Sequence, residues 1–240
     1  MTWRPPGLPM QTLQEQAQGP QAPSSASSPP VPSPAAASSP ASPVPLREPI
    51  VRVAIGSRAL LVLGRSQRRL PVDETVLPVL RRASGGGAVL AGPWMLRATV
   101  SLPPQHPLTR GGIVAAARWF GDVHLRWLRA QGIDGAQLYE GPTTDHWACF
   151  AGRGPGEIVV DGRKIAGIAQ RWGAARVTLS AGTLITPPPW PLLVRALRRA
   201  GEDVAELDDS AISAQQCLRQ PVRAAAWAAA LRELLLADVA

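Results

Sequence analysis

The chain holds one lysine, Lys164, among 25 lysines and arginines. Wherever only positive charge is needed this sequence supplies arginine. The surviving lysine therefore marks a position suited to a compact ammonium with three rotatable donors, which a planar guanidinium does not replace. Upstream lies a second chemistry-bearing segment, Arg81-Arg82-Ala83-Ser84-Gly85-Gly86-Gly87-Ala88-Val89. Successive glycines let the backbone approach a ligand closely and aim N–H groups at an anion, and flanking arginines neutralise a carboxylate or phosphate. The segment lacks the Gly-Lys-Ser/Thr of a P-loop and the downstream acid of a dinucleotide fingerprint. Cys149 and Cys217 show no CxxC or Cys/His spacing, and no metal site is expected. Of the three histidines, His106 and His124 belong to no constellation, while His146, three residues before Cys149, is a candidate base for it.

The elements that position these residues can be read from local pattern. Residues 157–160 and 163–169 predict two strands joined by a two-residue type I′ turn at Asp161-Gly162. Strand alternation puts Lys164 on one face with Ala166 and Ile168, beside the turn. Residues 50–55 and 59–63 predict a pair of strands joined by a tight turn at Gly56-Ser57, and 95–102 and 176–180 predict two more strands. Ile113, Ala116, Phe120, Val123 and Trp127 recur at helical spacing, which predicts a helix over 113–130 with that stripe on the core and Gly132 as its stop. Past Pro187-Pro188-Pro189 the pattern predicts helices over 191–200, closed by Gly201, and 222–236, opened by Pro221. Trp147 and Trp172 bracket the lysine hairpin and are candidates to wall a tunnel.

Composition bounds the whole. Residues 1–46 are rich in Pro, Ala, Ser and Gln, with too little large apolar surface to offset the entropy of ordering; this predicts a disordered tail, with a short helix at most over 10–18. Residues 47–240 then form one domain, for which 45% hydrophobic residues over the chain suffice. No apolar run reaches the roughly 18 residues of a membrane span, and Met1-Thr2-Trp3-Arg4-Pro5-Pro6 lacks the apolar core of a signal peptide. A cytoplasmic protein with free thiols is expected. The net charge of +8 invites a nucleic-acid reading. Yet the arginines fall in scattered pairs (Arg68-Arg69, Arg81-Arg82, Arg198-Arg199) without interleaved aromatics, so neither nucleic acid nor membrane is an expected partner, and the charge is left to steer an acidic protein.

Taken in order, Arg-Arg-x-Ser-Gly-Gly-Gly-Ala-Val and Gly162-Arg163-Lys164-Ile165-Ala166-Gly167-Ile168-Ala169-Gln170 resemble the lipoate-protein ligase and octanoyltransferase family of the biotin/lipoate attachment superfamily. Leu63-Gly64-Arg65-Ser66-Gln67 and Ala148-Cys149-Phe150 are weaker echoes, and the resemblance spans roughly 50–185. It implies an α+β fold: a mixed, largely antiparallel sheet with flanking helices, of the biotin/lipoate protein ligase catalytic type. It also implies an enzyme that joins lipoate or octanoate through an amide to a lysine of lipoyl-domain proteins, such as the E2 of 2-oxoacid dehydrogenases and the glycine cleavage H protein. By resemblance, Lys164 contacts the activated acyl carbonyl, where an ammonium stabilises developing negative charge. Arg82, Ser84, Gly85, Gly86 and Gly87 line the acyl and anhydride site, with Gly162 and Gly167 about the lysine.

Two routes are open within the family. A ligase uses ATP with Mg2+ to make lipoyl-adenylate; a transferase needs no cofactor and moves octanoate from acyl carrier protein through a cysteine thioester. Cys149 stands where the cysteine-dependent members carry their nucleophile, and it is equally a small buried apolar residue. Ser84-Gly85-Gly86-Gly87 tips the balance to the ligase. The family's histidine after the glycine loop is replaced by Leu90-Ala91-Gly92-Pro93, and its later His-Gly by Ser180-Ala181-Gly182. Those losses keep a third reading open, a non-catalytic relative that binds a lipoyl or acyl group.

Overall fold

A computed structural model describes residues 44–240, so the expected tail over 1–46, apart from its last three residues, and the helix over 10–18 lie outside the described part. Elements are numbered in chain order. The larger sheet runs β1 (Ile50–Ile55), β5 (Met95–Leu102), β9 (Val177–Leu184), β8 (Arg163–Trp172), β7 (Ile158–Val160) and β6 (Ala136–Leu138), each neighbouring pair antiparallel. A smaller sheet is mixed: β2 (Leu60–Leu63) pairs parallel with β3 (Val79–Arg81) and antiparallel with β4 (Val89–Ala91). The helices are α1 (Gly112–Ala130), α2 (Trp190–Ala196), α3 (Glu202–Ser210), α4 (Ala214–Leu218) and α5 (Ala224–Asp238). Among the described residues no helix is long and apolar enough to cross a membrane.

Two cores explain why the expected hairpin over 50–63 does not form. Val51 and Val53 of β1 pack into a core shared with Leu96, Phe120, Trp127 and Leu231, under α1 and α5. Leu61 and Leu63 of β2 are fully buried in the other core, with Leu90, Phe150, Trp190 and Leu207. Gly56-Ser57 thus carries the chain from one sheet to the other, because the apolar faces on its two sides are claimed by different partners.

Helix α1 keeps the predicted stripe except at its start. Ala116, Phe120, Val123 and Trp127 are buried, whereas Ile113 is 61% exposed. The C-terminal helices differ more: α2 ends at Ala196, and Gly201 caps the N-terminus of α3 instead of closing α2. Glu202 and Asp203 in the first turn of α3 suit the positive end of a helix dipole. Strands β3, β4 and β6 have three residues each, too few to show alternation in sequence.

His124 is buried in the α1 core, its Nδ1 2.7 Å from the Phe120 carbonyl and its Nε2 without a partner. Burial pushes its pKa down from 6.5 to about 4. A depressed histidine pKa disfavours the native state wherever the unfolded chain takes up the proton first. Stability therefore falls as pH drops from about 6.5 to about 4, by roughly 3 kcal/mol once complete. Thermal melts of His124→Leu should show a flatter acid limb than the parent; parallel pH curves would refute this.

Candidate active site

Lys164 enters the structure from the predicted hairpin. Asp161 and Gly162 take φ values of 48° and 74°, the positive pair that a type I′ turn requires. The register then departs from simple alternation: Val159 faces Lys164 and Ile158 faces Ala166, so Ile165 is an extra residue in β8. The bulge shifts the faces that follow it. Ala166, expected beside the lysine, packs instead on the helix-side core, while Ile168 packs partly against that core and also borders both cavities at the site. Gly167 is the neighbour of the lysine stem: a Cβ there would lie 2.9 Å from Lys164 Cε and 3.3 Å from Nζ. Gly167→Ala should displace the ammonium rather than unfold the sheet, with an expected loss of at least tenfold in turnover and a small change in melting temperature. A turnover within twofold of the parent would show that the stem has room.

The lysine side chain is 1% exposed. Its Nζ donates to the Glu157 Oε1 at 2.6 Å, the Cys149 carbonyl at 2.7 Å and the Gly152 carbonyl at 3.0 Å, and lies 4.0 Å from Cys149 Sγ. Glu157, 6% exposed, also accepts from the Gly154 N–H at 2.7 Å and the Ile168 N–H at 3.3 Å. Burial raises the Glu157 pKa above the usual carboxylate range, against the pull of Lys164 and of these hydrogen bonds. The residue-type reading gave Glu157 no role beyond starting a strand. The signal was available: an acid seven positions before Lys164, preceding the apolar Ile158-Val159-Val160 in a hairpin that folds back on the lysine.

The glycine loop joins β3 to β4 and is stitched to the cysteine segment. Ala88 donates to the Trp147 carbonyl at 2.7 Å, and Cys149 donates to the Ala88 carbonyl at 2.8 Å. Gly87 is needed for that approach, since a Cβ would sit 2.6 Å from the His146 carbonyl oxygen and 2.8 Å from Cys149 N. Arg82 reaches across the loop to the Gly87 carbonyl at 3.2 Å, while its Nε is buried with no partner. Arg81 instead faces solvent near Glu74.

Two cavities meet here. One, of about 440 Å³, lies between the two sheets, with Val62, Val89, Ala91, Met95, Ala98 and Gly167 among its walls. The other, of about 500 Å³, is bounded by Gly85, Gly86, Gly87, Asp145, Arg153 and Lys164. Arg82, Ser84, Cys149, Ile168 and Ala169 border both. The sequence-nominated Lys164, Cys149, Arg82, Ser84, Gly85, Gly86, Gly87 and Gly167 thus converge, whereas Gly162 stays in its turn and borders neither cavity. His146 does not serve Cys149: its Nδ1 accepts from the Ala148 N–H at 3.1 Å and its Nε2 lies 3.1 Å from Glu206. Trp147 lies under the Arg199 guanidinium, 4.1 Å from its ring centroid, and Trp172 bonds Gln170 in a 36% exposed position, so neither walls a cavity.

Residues 42–235 match the family profile of the lipoyl protein ligase A/B catalytic domain. The chain belongs to that family. No curated protein matches the sequence, so the solved structures carry the remaining comparison. A lipoate-protein ligase A bound with ATP superposes with a TM-score of 0.57 at 17% identity, covering 79% of this chain and 74% of its own. The bipartite lipoate protein ligase of Thermoplasma acidophilum, described together with its E2 lipoyl domain, gives 0.57 at 17% identity, covering 80% of this chain and 71% of its own. LipL1 of P. falciparum in complex with lipoate gives 0.52 at 15% identity, covering 80% of this chain and 48% of its own. At such identities the likeness establishes the fold: this lipoyl ligase-type domain has the antiparallel sheet with flanking helices that its motifs implied.

Proposed function

We propose that this protein attaches a lipoyl or octanoyl group, through an amide, to a lysine of a lipoyl-domain protein, by way of an acyl-adenylate made with ATP. The observation that carries the reading is the pair of cavities joined at Arg82, Ser84 and Cys149, with Lys164 beside the seam. An acyl chain fits the cavity between the sheets, whose walls are mainly apolar, with Arg52 and Arg97 also among them. Its activated carbonyl then falls at the seam, within reach of an ammonium that stabilises the oxygen as charge develops. The nucleotide fits the second cavity. The buried, unpartnered Arg82 Nε lacks an acceptor of the kind a phosphate supplies, and a Cβ on Gly85 would meet nothing within 4 Å, which leaves room above the loop. Mg2+ accompanying ATP would be held by phosphate oxygens with Asp145 as the exposed carboxylate of that cavity, since its other carboxylate, Glu157, is paired with Lys164, in keeping with the few protein ligands this ion takes at phosphate sites.

Fold relatives bound with ATP, in complex with lipoate, and described together with an E2 lipoyl domain support this choice of substrates and acceptor. E2 lipoyl domains and glycine cleavage H protein are the proposed acceptors, in the cytoplasm, with Cys149 and Cys217 as free thiols. One observation favours a second reading, a cysteine-dependent octanoyltransferase fed by acyl carrier protein: Cys149 borders both cavities and its Sγ lies 4.0 Å from the Lys164 ammonium. The test is to incubate the protein with a lipoyl domain and either lipoate plus ATP or octanoyl-acyl carrier protein, and to weigh the acceptor by mass spectrometry. Mass gain with ATP supports the ligase. Gain with the carrier protein alone supports the transferase, and gain with neither leaves an acyl-binding relative.

A further inference from the structure

An ammonium has three N–H groups, and three oxygens already take those of Lys164: the carbonyls of Cys149 and Gly152 and the Glu157 carboxylate. No donor is left for an acyl oxygen, so one of these bonds must open in each turnover. The bond to Glu157 is charge-assisted and the shortest of the three, so a carbonyl is the partner that yields. Glu157 in turn is fixed by two backbone N–H groups, one from the segment after Gly152 and one from β8. It is the one carboxylate in hydrogen-bond contact with Lys164 among the described residues. The other charged or titratable groups around it point elsewhere: Arg153 donates to the Gly162 carbonyl, His146 faces Glu206, and Asp145 is exposed at the cavity edge.

We propose that Glu157 is a positioning residue for Lys164: it anchors and neutralises the ammonium at the seam of the two cavities while a carbonyl partner gives way to the acyl oxygen. This rests on the acyl-transfer reading of Lys164 and adds a residue that the family motifs did not single out. It also predicts how the site responds to charge. With the carboxylate present, the cation next to Cys149 is compensated. Without it, an uncompensated ammonium faces the thiol and favours its ionised, reactive form.

The experiment compares the parent protein with Glu157→Gln and Glu157→Asp. Transfer to a lipoyl domain is followed for kcat, KM and pH dependence, and alkylation of Cys149 by iodoacetamide is timed at pH 7 with no acceptor present. For Glu157→Gln the expected kcat falls on the order of 10- to 100-fold with KM little changed, the loss of one well-placed electrostatic contact. The acid limb due to Glu157 disappears from its profile, alkylation of Cys149 speeds up several-fold, and Glu157→Asp recovers part of both. Parent-like kcat with unchanged alkylation in Glu157→Gln would overturn the proposal. So would a folded Glu157→Asp protein that matches Glu157→Gln in both assays, with no recovery. If the parent modifies no lipoyl domain, the acyl-transfer reading fails, and the alkylation arm still decides the role of Glu157.

Discussion

Lys164→Arg is expected to lower acyl transfer to a lipoyl domain by about 10²- to 10³-fold or more in kcat, although formal charge is kept. The geometry says why. Nζ sits within 3.0 Å of three oxygens in a space 1% exposed. A planar fork cannot converge on that set, and its extra volume must displace Gly167, the Gly152 carbonyl or Phe150, whose ring centroid is 5.6 Å from Nζ. Overpacking of this kind costs about 1–3 kcal/mol, so a fall of several degrees in melting temperature should accompany the lost activity. Lys164→Met separates the two effects. It removes the charge with less added volume, and Glu157, whose carboxyl burial already pushes towards the neutral form, can take up a proton instead of remaining a buried lone anion. Both variants should be folded by circular dichroism and deficient in transfer. Near-parental activity in Lys164→Arg would remove Lys164 from the mechanism.

The second large effect is expected at Cys149, and its direction depends on the route. If the acyl group arrives as an adenylate, Cys149→Ser should keep transfer within about threefold, because Lys164 binds the backbone carbonyl of residue 149, which serine retains. If the acyl group rests on sulfur, the same variant should lose at least about 10³-fold and no longer show an acyl-enzyme mass, since a serine hydroxyl is a far weaker nucleophile than a thiolate. The substitution is a fair test because Cys149 is only partly buried and the change in volume is small. An intermediate loss in both donor assays would point instead to a steric part for the thiol where the cavities meet.

Much of the site was legible because its motifs are local. Three glycines in a row, a lone lysine after an Asp-Gly turn, and an apolar helical stripe each state their geometry within a few residues, and the turn dihedrals and α1 bear this out. What was not legible depends on partners distant in sequence. The hairpin expected over 50–63 fails because β1 and β2 belong to different cores. Lys164 loses Ala166 from its face because β8 gains a residue against β7, which no alternation pattern announces. His146 looked well placed by numbering, but its ring is held by the Ala148 N–H and Glu206 of α3.

The sequence by itself determined the family, the sheet-and-helix class and the chemistry-bearing segments, since residue types at short spacing are enough to specify turns, nests and stripes. Only the tertiary structure decided that a carboxylate seven residues upstream neutralises Lys164, and that the glycine loop and the cysteine segment close on each other through Ala88. The reason is physical. Burial of a charge is affordable only when every donor finds an acceptor, and those acceptors come from backbone carbonyls and a β-bulge that exist only once the chain has folded.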